Sequence, residues 1–141
     1  MPSTSLDPAE LLPHRPPFLL LDTIDELVPG ERVVARRRVA GDDPVLAGHF
    51  PSNPVFPGVL QLEALAQAGA CAVLADPRFV GRLPLFGGAE RVRFKRIVRP
   101  GDELVLTVAI EQMSARGGWG AGEARVDGEL ACRARLLTVL S

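Results

Sequence analysis

The chain has 141 residues, 47% hydrophobic and 23% charged, with a formal net charge of -1. That length suits one globular domain over residues 1–141 and is too short for two ordinary ones. Near-balanced charge excludes nucleic acid as the main partner, and the mixture of apolar and charged residues excludes a disordered or fibrous chain.

Residues 1–8 are small, polar and proline-bearing, without the basic start and apolar core of a secretory signal, and read as a loose leader. Pro29-Gly30 marks a turn. The stretch 55–75 is long and apolar enough to raise the question of a membrane span, which needs about 20 residues. Pro57, Gln61, Glu63, Gln67 and Gly69 speak against one, so no membrane span is expected. Six alanines and several leucines instead make the stretch a helix. Pro57-Gly58 suits its start and Asp76-Pro77 its stop. Being apolar all round, this helix must be enclosed by protein.

Strand patterns follow. Val92, Phe94 and Ile97 alternate with arginines and a lysine, as in a half-solvated strand. Leu104, Leu106, Val108 and Ile110 alternate with Val105, Thr107 and Ala109, so at least one face of that strand meets a core. Pro100-Gly101-Asp102 is a turn, and Asp127-Gly128 predicts a hairpin between 122–126 and 130–140. The glycine-rich run 117–122 lacks the GxGxxG spacing of a dinucleotide site and reads as a flexible hairpin. One all-apolar helix with five or six antiparallel strands predicts an α+β fold, in which the sheet curls around the helix.

Cys71 and Cys132 lie far apart without CxxC spacing, which predicts neither a zinc site nor a disulfide framework. They read as small buried hydrophobes in a protein of the reducing cytoplasm. No metal or cofactor is expected.

The chemistry concentrates in residues 48–67. Glu63 is the sole ionisable side chain of the apolar helix. An unpaired buried carboxylate takes up a proton more readily, and a carboxylic acid held in that form can act as a general acid. The alternative is a carboxylate at a subunit edge that meets water. Gln67, one turn on, shares its face and is within reach of a hydrogen bond. His49 lies in a loop stiffened by Pro51, Pro54 and Pro57, where an imidazole is either a base for proton abstraction or a structural residue. If the helix begins at Gly58, the N–H groups of Gly58 and Val59 point from its positive end and can bind an oxyanion.

The runs His49-Phe50-Pro51, Pro54-Val55-Phe56-Pro57-Gly58-Val59-Leu60 and Glu63-Ala64-Leu65-Ala66-Gln67 closely resemble the signature of 3-hydroxyacyl-acyl carrier protein dehydratases of the FabZ type. Leu12-Pro13-His14-Arg15, Pro17-Phe18-Leu19-Leu20, Arg93-Phe94-Lys95-Arg96 and Val126-Asp127-Gly128 extend the likeness over nearly the whole chain. The resemblance implies a hotdog fold and dehydration of 3-hydroxyacyl-[acyl carrier protein] to the trans-2-enoyl product, in fatty acid or related polyketide and polyene biosynthesis. It implies that His49 removes the α-proton, Glu63 protonates the departing hydroxyl and the Gly58 N–H polarises the thioester carbonyl. Val59, Phe50 and Phe56 then belong to the substrate site, with Gln67 positioning Glu63. It implies a homodimer whose sites each draw the acid from the second subunit, with a trimer of dimers as the larger assembly. Glutamate at 63, where the dehydratase-isomerases usually carry aspartate, favours plain dehydration.

The chain departs from the family at Pro16, commonly aromatic, and at Phe56, commonly methionine; both are expected near the acyl tunnel. With no tyrosine anywhere, any gate near residues 85–88 falls to Phe86 or another apolar group. His14 is expected to make structural hydrogen bonds only. The clusters Arg36-Arg37-Arg38 and Arg91 to Arg99 read either as solvated strand faces or as docking ground for the acidic carrier protein. A hotdog thioesterase and a non-catalytic subunit of a heteromeric dehydratase are the competing readings; the His49 and Glu63 pair favours dehydration over both.

Overall fold

Alanines at 64, 68 and 72 leave the helix Gly58–Leu74 with a surface flat enough to lie directly on a sheet, and all three side chains are fully buried. The computed structural model describes residues 6–141. Of the expected leader, residues 1–5 lie outside the described residues; Leu6 pairs with Ile24, and Asp7 caps a short helix. In chain order the elements are α1 (Pro8–Leu11), β1 (Thr23–Val28), β2 (Arg32–Arg38), α2 (Pro44–Ala47), α3 (Gly58–Leu74), a 3-10 turn at Pro77–Phe79, β3 (Pro84–Phe94), β4 (Glu103–Ser114), β5 (Gly117–Val126) and β6 (Glu129–Leu140).

The six strands form one antiparallel sheet in the order β1-β2-β4-β5-β6-β3, and α3 touches every one of them. This is the hotdog arrangement, a curled sheet around one long helix. Alternation in β4 buries Leu104, Leu106 and Val108 against α3, while Thr107 and Ala109 face outward. The core therefore lies on one face of that strand. Val33 and Ala35 of β2, Ala124 and Val126 of β5, and Cys132, Ala134 and Leu136 of β6 complete it. Burial pushes the Cys71 thiol up to about 12 and the Cys132 thiol up to about 11, because a thiolate would lose its hydration there.

Asp127-Gly128 forms the expected hairpin turn, both residues with positive φ. The run 117–122 is not a hairpin loop: the turn lies just before it, and the glycines are the first half of β5. Space explains the difference. A Cβ on Gly118 would fall 1.8 Å from the Gln112 carbonyl oxygen, and one on Gly122 would meet Leu136 at 3.0 Å and Leu65 of α3 at 3.4 Å. The glycines let β5 pass close to β4 and to the helix.

At the ends of the sheet, β1 is partly covered by the Leu6 bridge, whereas the outer edge of β3 pairs with nothing among the described residues. Along and near it Leu85, Phe86, Phe94 and Ile97 are 41–55% exposed. An uncovered edge strand beside exposed aromatic side chains is surface that native proteins cover. Among the described residues no helix is long and apolar enough to cross a membrane.

Candidate active site

Pro57 starts α3 because its fixed φ of -58° suits a helix entry, and its carbonyl accepts the N–H groups of Leu60 and Gln61. Among the described residues the N–H groups of Gly58 and Val59 have no acceptor, as expected of a first turn. A side chain at Gly58 would meet the Phe94 ring at 2.8 Å, so glycine keeps this end of the helix open. Phe56, Gly58, Val59, Gln61 and Phe94 line a hollow there; Phe56 is 1% exposed with Arg37 stacked 5.8 Å above its ring, and Val59 is 70% exposed.

His49 follows α2, whose start is capped by Asp43 and whose end is Gly48. The loop is tied down where Phe56 N–H donates to the Val98 carbonyl and Arg99 donates to Asn53. His49 Nδ1 lies 2.8 Å from the Val55 carbonyl oxygen. A carbonyl can only accept, so Nδ1 carries the proton and Nε2 presents a lone pair. Phe50 has a φ of 52° and packs its ring 4.2 Å from the imidazole. The two rings are presented together.

Glu63 projects from the second turn of α3 into a separate hollow of about 210 Å³, shared with His14, Phe18, Gln67, Leu85 and Phe86. Its side chain is 15% exposed. Gln67 Nε2 donates to Glu63 Oε2 at 2.8 Å and also to the Phe18 carbonyl, while its Oε1 accepts from Leu20 N–H at 2.8 Å. Gln67 thus holds the carboxylate and staples the 14–20 segment to the helix. The expected hydrogen bond between residues 63 and 67 is present; a solvent-facing Gln67 is ruled out by its 1% exposure.

The expectation for His14 fails. It makes no hydrogen bond through its side chain among the described residues; Nδ1 is buried without a partner, and Nε2 lies 3.8 Å from Glu63 Oε2. Sequence spacing carried no signal for this contact, because residues 14 and 63 meet through tertiary packing of the 12–21 segment on α3, which the Gln67 staple helps to fix. Among the described residues His49 and Glu63 share no hydrogen bond, and His49 does not line the Glu63 hollow.

The basic clusters divide. Arg36 pairs with Asp25 and Glu103, Arg37 is buried against Asp43, and β2 lies inside the sheet. Arg36 and Arg37 are therefore committed to acidic partners, whereas Arg38 stays exposed at the end of β2. Arg91, Arg93 and Lys95, by contrast, have no acidic partner among the described residues, and Arg91 and Arg93 lie on the edge strand β3.

Fold and site define a hotdog protein whose long helix carries a carboxylate into a hollow beside its middle turns, and whose preceding loop holds an imidazole on the Val55 carbonyl. The FabA-like domain family matches residues 12–135, and the chain belongs to that family. It is 54% identical to the 3-hydroxyacyl-[acyl-carrier-protein] dehydratase FabZ of Symbiobacterium thermophilum over 90% of this chain and 89% of that protein. It is 50% identical to the protein of the same description from Enterococcus faecalis, over 90% of both chains. Against the one from Oenococcus oeni it is 48% identical, over 97% of this chain and 99% of that one. Among solved structures, the dehydratase heterocomplex ApeI:P from Xenorhabdus doucetiae superposes with a TM-score of 0.85 at 22% identity, covering 96% of this chain and 91% of that one. A hypothetical thioesterase with coenzyme A from Streptococcus pneumoniae superposes with a TM-score of 0.65 at 11% identity, covering 84% of each. At those identities both likenesses speak to fold alone.

Proposed function

We propose that this chain removes water from 3-hydroxyacyl-[acyl carrier protein] to give the trans-2-enoyl thioester, a hydro-lyase step of fatty acid biosynthesis. The observation that carries this reading is identity near 50% over nine-tenths of both chains to proteins described as that dehydratase. It favours dehydration over hydrolysis, since the thioesterase likeness is one of fold only.

In the mechanism, His49 Nε2 takes the α-proton while its Nδ1–H stays on the Val55 carbonyl, which keeps the ring in the basic tautomer. Charge developing on the thioester oxygen meets the free N–H groups of Gly58 and Val59. The electron pair left at Cα forms the double bond as the C–O bond breaks, and Glu63, held by Gln67, gives its proton to the departing hydroxyl. Phe56, in the hollow at the helix start, and the exposed Phe50 serve the acyl path, and Phe86, in the lining of the Glu63 hollow, takes the place of a tyrosine gate.

A second copy completes each site. Two half-sites in one chain, an unpaired β3 edge and exposed Phe86, Phe94 and Val59 support a twofold dimer in which His49 of one protomer faces Glu63 of its partner. Three such dimers make the larger assembly. Residues 6–141 share one core and act as one domain, and the buried free thiols of Cys71 and Cys132 suit the cytoplasm. Arg91, Arg93 and Lys95 form the docking ground for the acidic carrier protein.

The test is mass spectrometry of carrier-bound 3-hydroxyacyl chains of several lengths after incubation with the purified protein. A loss of one water is expected. Unchanged substrate, or free acid from thioester hydrolysis, would contradict the reading.

A further inference from the structure

Glu63 has one titratable neighbour across its hollow, His14; the other lining groups are apolar or uncharged. Arg15, next in the chain, is engaged elsewhere: it donates to the carbonyls of Leu12 and His14. His14 Nδ1 is buried and unpartnered, and an orphaned acceptor is better tolerated in a protein interior than an orphaned N–H. The ring proton therefore belongs on Nε2, the nitrogen that faces Glu63 at 3.8 Å. That separation is too long for a direct hydrogen bond, yet a single oxygen atom fits within hydrogen-bond distance of both groups.

We infer that this oxygen position is where the 3-hydroxyl of the substrate sits, and that His14 Nε2–H is a second donor to the leaving group. The inference rests on the proposed role of Glu63 as the acid. As the C–O bond breaks, the proton from Glu63 makes the leaving group water, and His14, neutral throughout, stabilises the charge passing through that oxygen. No proton moves from His14, so the overall balance is unchanged. The Gln67 staple, by fixing the 14–20 segment to α3, sets the width of the gap. This makes His14 a catalytic residue for C–O cleavage in its own right.

A double-mutant cycle on the full-length protein tests it, with folding of each variant followed by circular dichroism and kcat and KM measured on a 3-hydroxyacyl carrier-protein substrate. His14→Ala is expected to lower kcat about tenfold or more with little change in KM, the size of one hydrogen bond used mainly in the transition state. His14→Gln, whose amide can donate to the same oxygen, is expected to recover part of the loss. His14→Ala added to Glu63→Gln is expected to cost much less than His14→Ala alone, since both groups act on one atom. Should the alanine variant not fold, His14→Leu takes its place in the cycle. Wild-type kcat in the His14 variants, or losses that simply multiply, would overturn the role of His14 while leaving that of Glu63 intact. Near-normal turnover by Glu63→Gln would instead remove the reading on which the inference stands.

Discussion

Among single residues, Gln67 links structure to chemistry most directly. Its one amide satisfies Leu20 N–H, the Phe18 carbonyl and the Glu63 carboxylate at 2.8 Å each. Replacing it by leucine keeps the volume but leaves buried backbone groups and the carboxylate unpaired. Gln67→Leu is expected to lower stability by about 2–4 kcal/mol, read by urea unfolding, and to lower kcat as Glu63 loses its anchor. Loss of stability with undiminished kcat in the folded fraction would show that Gln67 is structural only. Glu63, Gln67 and His49 stand out in the sequence because a lone carboxylate, an amide one turn on and an imidazole in a proline-stiffened loop are local patterns, but their roles came from the family resemblance and not from those patterns. The contact of His14 with Glu63 does not stand out, since the two lie 49 positions apart and only tertiary structure brings them together.

For the secondary-structure elements, composition decided where packing is simple. The central helix, the β4 alternation and the Asp127-Gly128 turn were readable from local residues. The short helices α1 and α2 have no periodicity to betray them, although both begin with Asp followed by Pro, the aspartate accepting from a first-turn N–H. The same pair at Asp76-Pro77 reads as the helix stop and also opens the 3-10 turn. The glycine run 117–122 misled because glycine also marks places where a neighbouring backbone crowds a strand. Gly118→Ala would force the β4–β5 pair apart at the Gln112 carbonyl and is expected to cost about 2 kcal/mol or more. Gly41→Ala, with nothing within 4 Å, is expected to change stability by no more than about 0.5 kcal/mol. Thermal melts of the two variants give the comparison, and equal midpoints would mean that β5 tolerates side chains in the run.

At the level of the whole molecule, sheet order was beyond sequence reading. Strand β3 follows the helix yet lies at the far edge beside β6, a placement fixed by non-local pairing. That placement leaves the outer edge of β3 without a partner among the described residues, with arginines and exposed aromatic groups along it. Reversing the charge of Arg91, Arg93 and Lys95 is expected to weaken carrier-protein binding and its salt dependence while sparing turnover of a small thioester surrogate. Equal losses on both substrates would place these residues in the active site or in folding. In the proposed dimer the same edge is the surface through which two copies meet, and that pairing underlies the proposed mechanism. His49→Ala and Glu63→Gln homodimers are each expected to be nearly inactive. In a mixed dimer, one site carries both defects and the other carries neither. Co-refolding equal amounts makes about half the dimers mixed, each with one good site, so activity near one quarter of wild type is expected. Activity no higher than that of the parents, with mixed dimers proven by tagged pull-down, would contradict a site shared between His49 of one protomer and Glu63 of its partner.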